Sequence, residues 1–337
     1  MSVKDSRFSP LRLMNLARER EKNDAPTLTF SQDSWRRIRK NRSAVVAMAL
    51  LALIIAVAFS SVWIAPHDPN HQDLYHSNLP PRIPGVSVHG FDGTVKVNGV
   101  VTDKYAEAGV PDDVNYYFGT DKLGRDLLSR LLFGVRVSLI IAFIAAFIDL
   151  TIGVTYGMIS GILGERVDSL MQRVLEILAG IPTLVVLILM LSILKPGILT
   201  IIIAMIITGW IPMARIVRAQ TLKLKSQEYV LAAAVLGQSK PVIAIRHILP
   251  NISGAVIVQM MFSIPQAIFF EAFLSFIGLG LRAPEASLGS LLNEGYKAFR
   301  VLPYQMWVPT VTLSVIMISF NLLADGLRDA FDPKMKE

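Results

Sequence analysis

The sequence predicts an all-α membrane protein with six transmembrane helices and both termini in the cytoplasm. Three observations lead there. The 337-residue chain is 53% hydrophobic and 18% charged, with a mean hydropathy of +0.50, too apolar for an ordinary soluble domain. It holds six apolar runs of about 20 residues or more, the length that spans a bilayer core as a helix. Eleven of its 33 Lys and Arg residues precede residue 43, several of them in Trp35-Arg36-Arg37-Ile38-Arg39-Lys40-Asn41-Arg42, directly before the first run. Basic residues so placed mark a cytoplasmic flank held at the membrane, so the net charge of +7 does not read as a nucleic-acid surface. Cysteine is absent, which removes disulfide frameworks and thiolate metal sites.

Residues 1–43 read as a cytoplasmic arm with a basic amphipathic segment. The first span, Ala44–Ala65, has no small-residue cleavage site at its end and so reads as an anchor, not a removable signal. Residues 66–134 form an extracellular loop. The core, 135–327, contains spans at Val135–Ser160, Ser169–Ile193, Ile198–Val217, Asn251–Gly278 and Trp307–Leu327. Leu194-Lys195-Pro196-Gly197 is a tight break between the third and fourth. Residues 328–337 are a cytoplasmic tail. The orientation follows from cations in the arm, in the Arg215–Arg246 connector and at Arg328, Lys334 and Lys336. Lys122, Arg125, Arg130 and Arg136 fall outside in this arrangement and run against the trend, but the balance of all loops decides topology.

In the outer loop, segments 86–91, 94–97 and 100–102 are separated by Asp92-Gly93 and Asn98-Gly99, two signals for type I′ turns. They predict a small three-stranded β-meander. Phe118-Gly119-Thr120-Asp121-Lys122-Leu123-Gly124-Arg125-Asp126-Leu127-Leu128-Ser129-Arg130 then reads as a turn, a start capped by Thr120 or Asp121, and an amphipathic interfacial helix whose charges form a solvated face.

The connector 219–250 is the most informative segment. Ser226–Leu236 predicts a short helix, Gly237 a left-handed cap, and Pro241 a block to immediate resumption. Ala232, Ala233 and Ala234 permit close backbone approach by another protein, and Pro250 falls near the first turn of the fifth span. Three acids lie within spans. Glu176 reads as a group near an interface or in an interhelical hydrogen bond, while Asp149 and Glu271 either line a path through the membrane or bond between helices. Pro182, Pro212 and Pro265 are positioned to kink their helices.

Enzymatic readings find no support. There is no phosphate-binding G-x-x-x-x-G-K-[ST], no H-E-x-x-H and no G-x-S-x-G, and the Pro66/Pro69 context makes His67 and His71 a loop, not a helical metal pair. No catalytic or metal site is expected. A secondary transporter would show repeated halves and a channel a filter, and neither pattern is present.

Several motifs carry a family resemblance. Tyr229 to Asn251, Y-V-L-A-A-A-V-L-G-Q-S-K-P-V-I-A-I-R-H-I-L-P-N, resembles the EAA loop by which membrane subunits of ATP-binding-cassette importers engage their ATPases. F-G-T-D-x-x-G-R-D-L-L-S-R from Phe118 resembles a segment of the dipeptide/oligopeptide/nickel branch, and the chain is most similar to the "C" permease of oligopeptide importers. Gly209–Gln220, Glu271–Gly280 and Asn321–Pro333 agree with it in the expected order. The resemblance implies a type I importer permease fold with a cytoplasmic coupling helix. It implies a homologous sister permease, two cytoplasmic ATPases that bind ATP and Mg, an extracellular peptide-binding protein and peptide substrates. The chain itself would be non-catalytic and hold no cofactor. ATPase coupling would fall to Glu228, Ala232, Ala233, Gly237 and Pro250. Dipeptides or nickel chelates are alternative cargoes within the branch; a homo-oligomeric channel or a secondary transporter is the alternative outside it. Three departures stand out: Leu231 where the motif has Glu, Ser287-Leu288-Gly289 for Ser-Trp-Gly, and the Pro80–Asp113 insert.

Overall fold

The computed structural model describes residues 30–88, 90–97, 100–195, 197–281 and 284–331. Most of the N-terminal arm, His89, the Asn98-Gly99 turn, Pro196, Lys334 and Lys336 lie outside these residues. The basic segment forms helix α1 (Phe30–Lys40). Asn41 then caps α2 (Arg42–Phe59), its side chain accepting from the Ala44 amide. Five helices are long and apolar enough to cross a membrane, and a sixth crossing exists if one bent pair counts as a span. They are α2, α3 (Leu127–Leu163), α6 (Ile198–Lys225), α8 (Lys240–Phe276) and α10 (Tyr304–Phe331). The bent pair is α4 (Glu165–Gly180) and α5 (Thr183–Ile193), which meet at 76°. Pro182 ends the third predicted span halfway, because it cannot donate to the preceding turn.

The core has two centres. In one, Leu51 of α2 packs with Leu139 and Ala142 of α3, Ile268 of α8 and Phe320 of α10. In the other, Val154 of α3 packs with Met213 and Val217 of α6 and Ile248 and Ile252 of α8. Close approach of α3 to α6 depends on Gly153, Gly157 and Gly161, spaced four apart on one face. A Cβ at Gly157 would lie 2.5 Å from the Ala214 carbonyl oxygen, and one at Gly161 2.5 Å from Thr221 Cγ2. Small residues at this spacing let helices pack backbone to backbone in lipid, where no hydrophobic force pulls them together. At the chain's ends, Ile38 of α1 packs with Ala330 of α10, so both described ends lie on one side of the bundle.

Outside the bundle, the insert is a two-stranded hairpin, β1 (Thr94–Val97) with β2 (Val100–Asp103), where three strands are predicted. Pro84-Gly85, with Gly85 at φ +79°, turns the chain away before Val86–Val88 can pair. The insert is organised instead around buried Tyr105, whose hydroxyl donates to the Pro80 carbonyl at 2.9 Å under the Arg82 guanidinium. The last loop also differs from expectation. Ser287 caps a further helix, α9 (Leu288–Ala298), in a mutual side-chain box with Ser290.

Candidate functional site

The connector folds as α7 (Glu228–Val235), closed by Gly237 at φ +82°. Gly237 N–H donates to Ala234 O at 3.0 Å and Gln238 N–H to Ala233 O at 3.1 Å, the paired bonds of a left-handed helix cap. Val230 and Ala233 are buried against Ile243, Ala244 and Ile248. Ala233 therefore faces the bundle, while Glu228, Ala232, Ala234 and Gly237 face outward with Leu231. Val235 and Leu236, 86% and 82% exposed, extend this outer face. Pro241 does not delay the next helix. It occupies the first turn of α8, where its missing N–H costs nothing. Pro250 lies exposed within α8, just after a π-helical turn at Ala244–Ile248 that absorbs the missing rung.

Two lysines that flank α7 tie the end of α6 and the start of α8 to α3. Before α7, Lys225 Nζ donates to the carbonyls of Gly161 and Ile162 at 3.3 Å each; after it, Lys240 Nζ donates to Leu163 O at 3.4 Å. These are the last carbonyls of α3, so both ammonium groups also meet the negative end of its dipole. Arg218 of α6 adds a two-pronged contact at 2.5 Å to each oxygen of Asp168 on α4.

Deeper in the bundle is a cavity of about 170 Å³ with Asp149 in its wall. Asp149 begins a π-helical turn in α3, is buried, and shares the cavity wall with Ser263 of α8. Glu271 is not at this cavity. It is fully buried and accepts from Ser138 Oγ at 2.7 Å and Ser275 Oγ at 2.8 Å, stitching α3 to α8 beside the start of α9. Glu176 is exposed on α4 and paired with Arg173.

A profile of the family described as binding-protein-dependent transport system inner membrane component matches residues 153–337, which include the connector. The chain belongs to this family. A second profile, the N-terminal transmembrane domain of oligopeptide transport permease C, matches residues 29–81 of the permease. It is 45% identical over 325 residues to the dipeptide transport system permease protein DppC of Lactococcus lactis, covering 94% of each chain. It is 39% identical over 321 residues to the oligopeptide transport system permease protein OppC of Bacillus subtilis, covering 95% of each. Its fold is similar to a chain in solved inward-facing structures of the MetNI methionine ABC transporter, with TM-score 0.51 and 17% identity over 61% of the permease and 98% of that chain. As a permease component it is non-catalytic, and it is embedded in the membrane.

One feature of the permease is not legible in its motifs. The charges of 121–130 are not a solvated face. Arg125 and Arg130 are both buried, and the helix cap is Asp126, not Thr120 or Asp121. Asp121 Oδ2 accepts from Arg125 Nε at 2.7 Å and from Arg130 Nη1 at 2.6 Å. Arg130 Nη1 also lies 2.5 Å from Glu294 of α9, and Arg125 Nη2 lies 3.3 Å from it. Burial pushes the Glu294 carboxyl up, but the Arg130 hydrogen bond and the charges of Arg130 and Arg125 outweigh it and hold it below the usual carboxylate range. The Asp121/Arg125 spacing of four was the available signal; the partner Glu294 is 164 residues from Arg130 and gives none.

Proposed function

We propose that the permease forms, with a homologous sister permease, the translocation path of an ATP-driven importer of peptides. It crosses the membrane six times, the bent α4/α5 pair counting as one crossing, with both termini cytoplasmic. The basic arm ahead of α2 and the packing of α1 on α10 support that orientation. Two cytoplasmic ATPases supply the energy, binding ATP and Mg themselves. One seats on the outer face of α7 formed by Glu228, Ala232 and Gly237. Ala233 supports that face from behind, and Pro250, inside α8 just after its π turn, shapes the span that carries the motion into the membrane. An extracellular peptide-binding protein delivers cargo to the outer side, where the hairpin insert adds surface for docking. Oligopeptide cargo is supported by the match to the permease C domain at 29–81. Dipeptide cargo is the second reading, supported by the 45% identity to a dipeptide permease.

The observation that carries this reading is α7 itself: an exposed small-residue and apolar face on a helix whose Val230 and Ala233 pack into the core shared by α3, α6 and α8. The test is Gly237→Trp. A Cβ there meets nothing within 4 Å, so the change costs roughly 1 kcal/mol of backbone strain and leaves the bundle folded. Membrane levels should be normal, peptide uptake lost, and the ATPases released in pull-down or hydrolysing ATP without regard to substrate. Wild-type uptake by this variant would remove α7 as the coupling element.

A further inference from the structure

Three crossings are interrupted around one point of the bundle, and a fourth carries an interior proline there. The π turn of α3 begins at Asp149, α4 and α5 break just before Thr183, and α6 breaks at Gly209. In α8, Pro265 lies between Ser263 and Gln266. All six of the flanking residues Asp149, Thr183, Thr208, Gly209, Ser263 and Gln266 line the same cavity. Irregular backbone at membrane depth persists where it borders a cavity that uses the freed polar groups. A buried acid in a span is expensive unless something answers its charge. Among the described residues no Lys, Arg or His forms an ion pair with Asp149.

From this geometry we infer that the cavity is a binding subsite for a primary ammonium group, the α-amino end of a peptide in transit. The inference rests on the peptide-import reading above. The wall offers a carboxylate, three hydroxyls and an amide oxygen, acceptors in number for the three donors of an ammonium group. Its other walls are apolar, including Ala267 and Phe270, which strengthen a charge contact by excluding water. At about 170 Å³ the cavity is smaller than the ~300–1,000 Å³ that holds a drug-sized ligand, so it takes one end of a peptide and not the whole. A single acid that reads only the terminus tolerates any side-chain sequence behind it.

The chain has no cysteine, so Thr208→Cys places a unique thiol in the cavity wall. The experiment uses the assembled transporter in membranes and follows labelling of this subunit by cationic aminoethyl and anionic sulfonatoethyl methanethiosulfonate. Rates are normalised to an exposed Asn70→Cys reference. The cationic reagent should be favoured by about tenfold, and Asp149→Asn should abolish that preference. A peptide with a free amino terminus should protect the thiol. The same peptide N-acetylated should not, whether or not it carries a lysine. Protection by the acetylated lysine peptide would replace the terminus with a side-chain ammonium and overturn the assignment. A preference unchanged in Asp149→Asn, or a thiol that neither reagent reaches, would overturn the site. Peptide uptake is scored separately: its absence in the wild-type transporter with charge selectivity intact would count against peptide import and not against the ammonium site.

Discussion

Arg130→Met probes the buried charge cluster that joins the segment leading into α3 to α9. Arg130 is 1% exposed and serves both Asp121 and Glu294. Methionine nearly fills its volume but leaves two carboxylates to share Arg125. Breaking a buried pair from one side costs about 3–5 kcal/mol, because the orphaned charge stays in low dielectric. The Glu294 side chain is 27% exposed, and water reaching it argues for the lower end, about 3 kcal/mol. Each ~1.4 kcal/mol is a factor of ten, so local opening of α9 should rise by about a hundredfold. Hydrogen exchange on the transporter in nanodiscs, read on peptides covering 288–298 and 118–126, measures it. Adding Glu294→Leu to Arg130→Met removes the orphan and leaves Asp121 with Arg125, so most of the protection should return. Exchange within about threefold of wild type in the single variant, or no recovery in the double, would refute the reasoning.

The same cluster gives a pH dependence. Glu294 titrates below its ordinary 4.5, so its contribution is complete above that value and is lost as pH falls through the depressed one. Protection of α9 should therefore hold from neutral pH down to the ordinary glutamate range and collapse only below it, and Glu294→Gln should flatten that profile. Gly157→Leu should lower the melting temperature and membrane level of the permease, since its Cβ would lie 2.5 Å from Ala214 O and 2.8 Å from Val217 Cβ, an overpacking cost of about 1–3 kcal/mol or more. Gly180→Ala, with nothing within 4 Å, is the control and should melt as wild type.

The sequence by itself determined the class of protein, five of the apolar spans, the connector and its left-handed cap. Each of these depends on neighbours in the chain: 20 apolar residues need a bilayer whatever they later touch, and Gly237 ends α7 by its own backbone freedom. The short helix α9 was legible in principle from Ser287 and the apolar spacing of Leu288, Leu291 and Leu292, but its location in a polar outer loop masked it. What only the tertiary structure decided are relations between distant residues. Ala233 and Ala232 are identical in sequence terms, yet one faces Ile243 and the other faces outward, because the helix's rotation is set by the core it lands on. Arg125 and Arg130 read as solvated until Glu294 arrives from α9 to bury them. Asp149 and Glu271 look alike as intramembrane acids. Serines from α3 and α8 occupy Glu271, whereas breaks in three crossings and a proline in α8 leave Asp149 beside a cavity, and no spacing in the chain records that they meet.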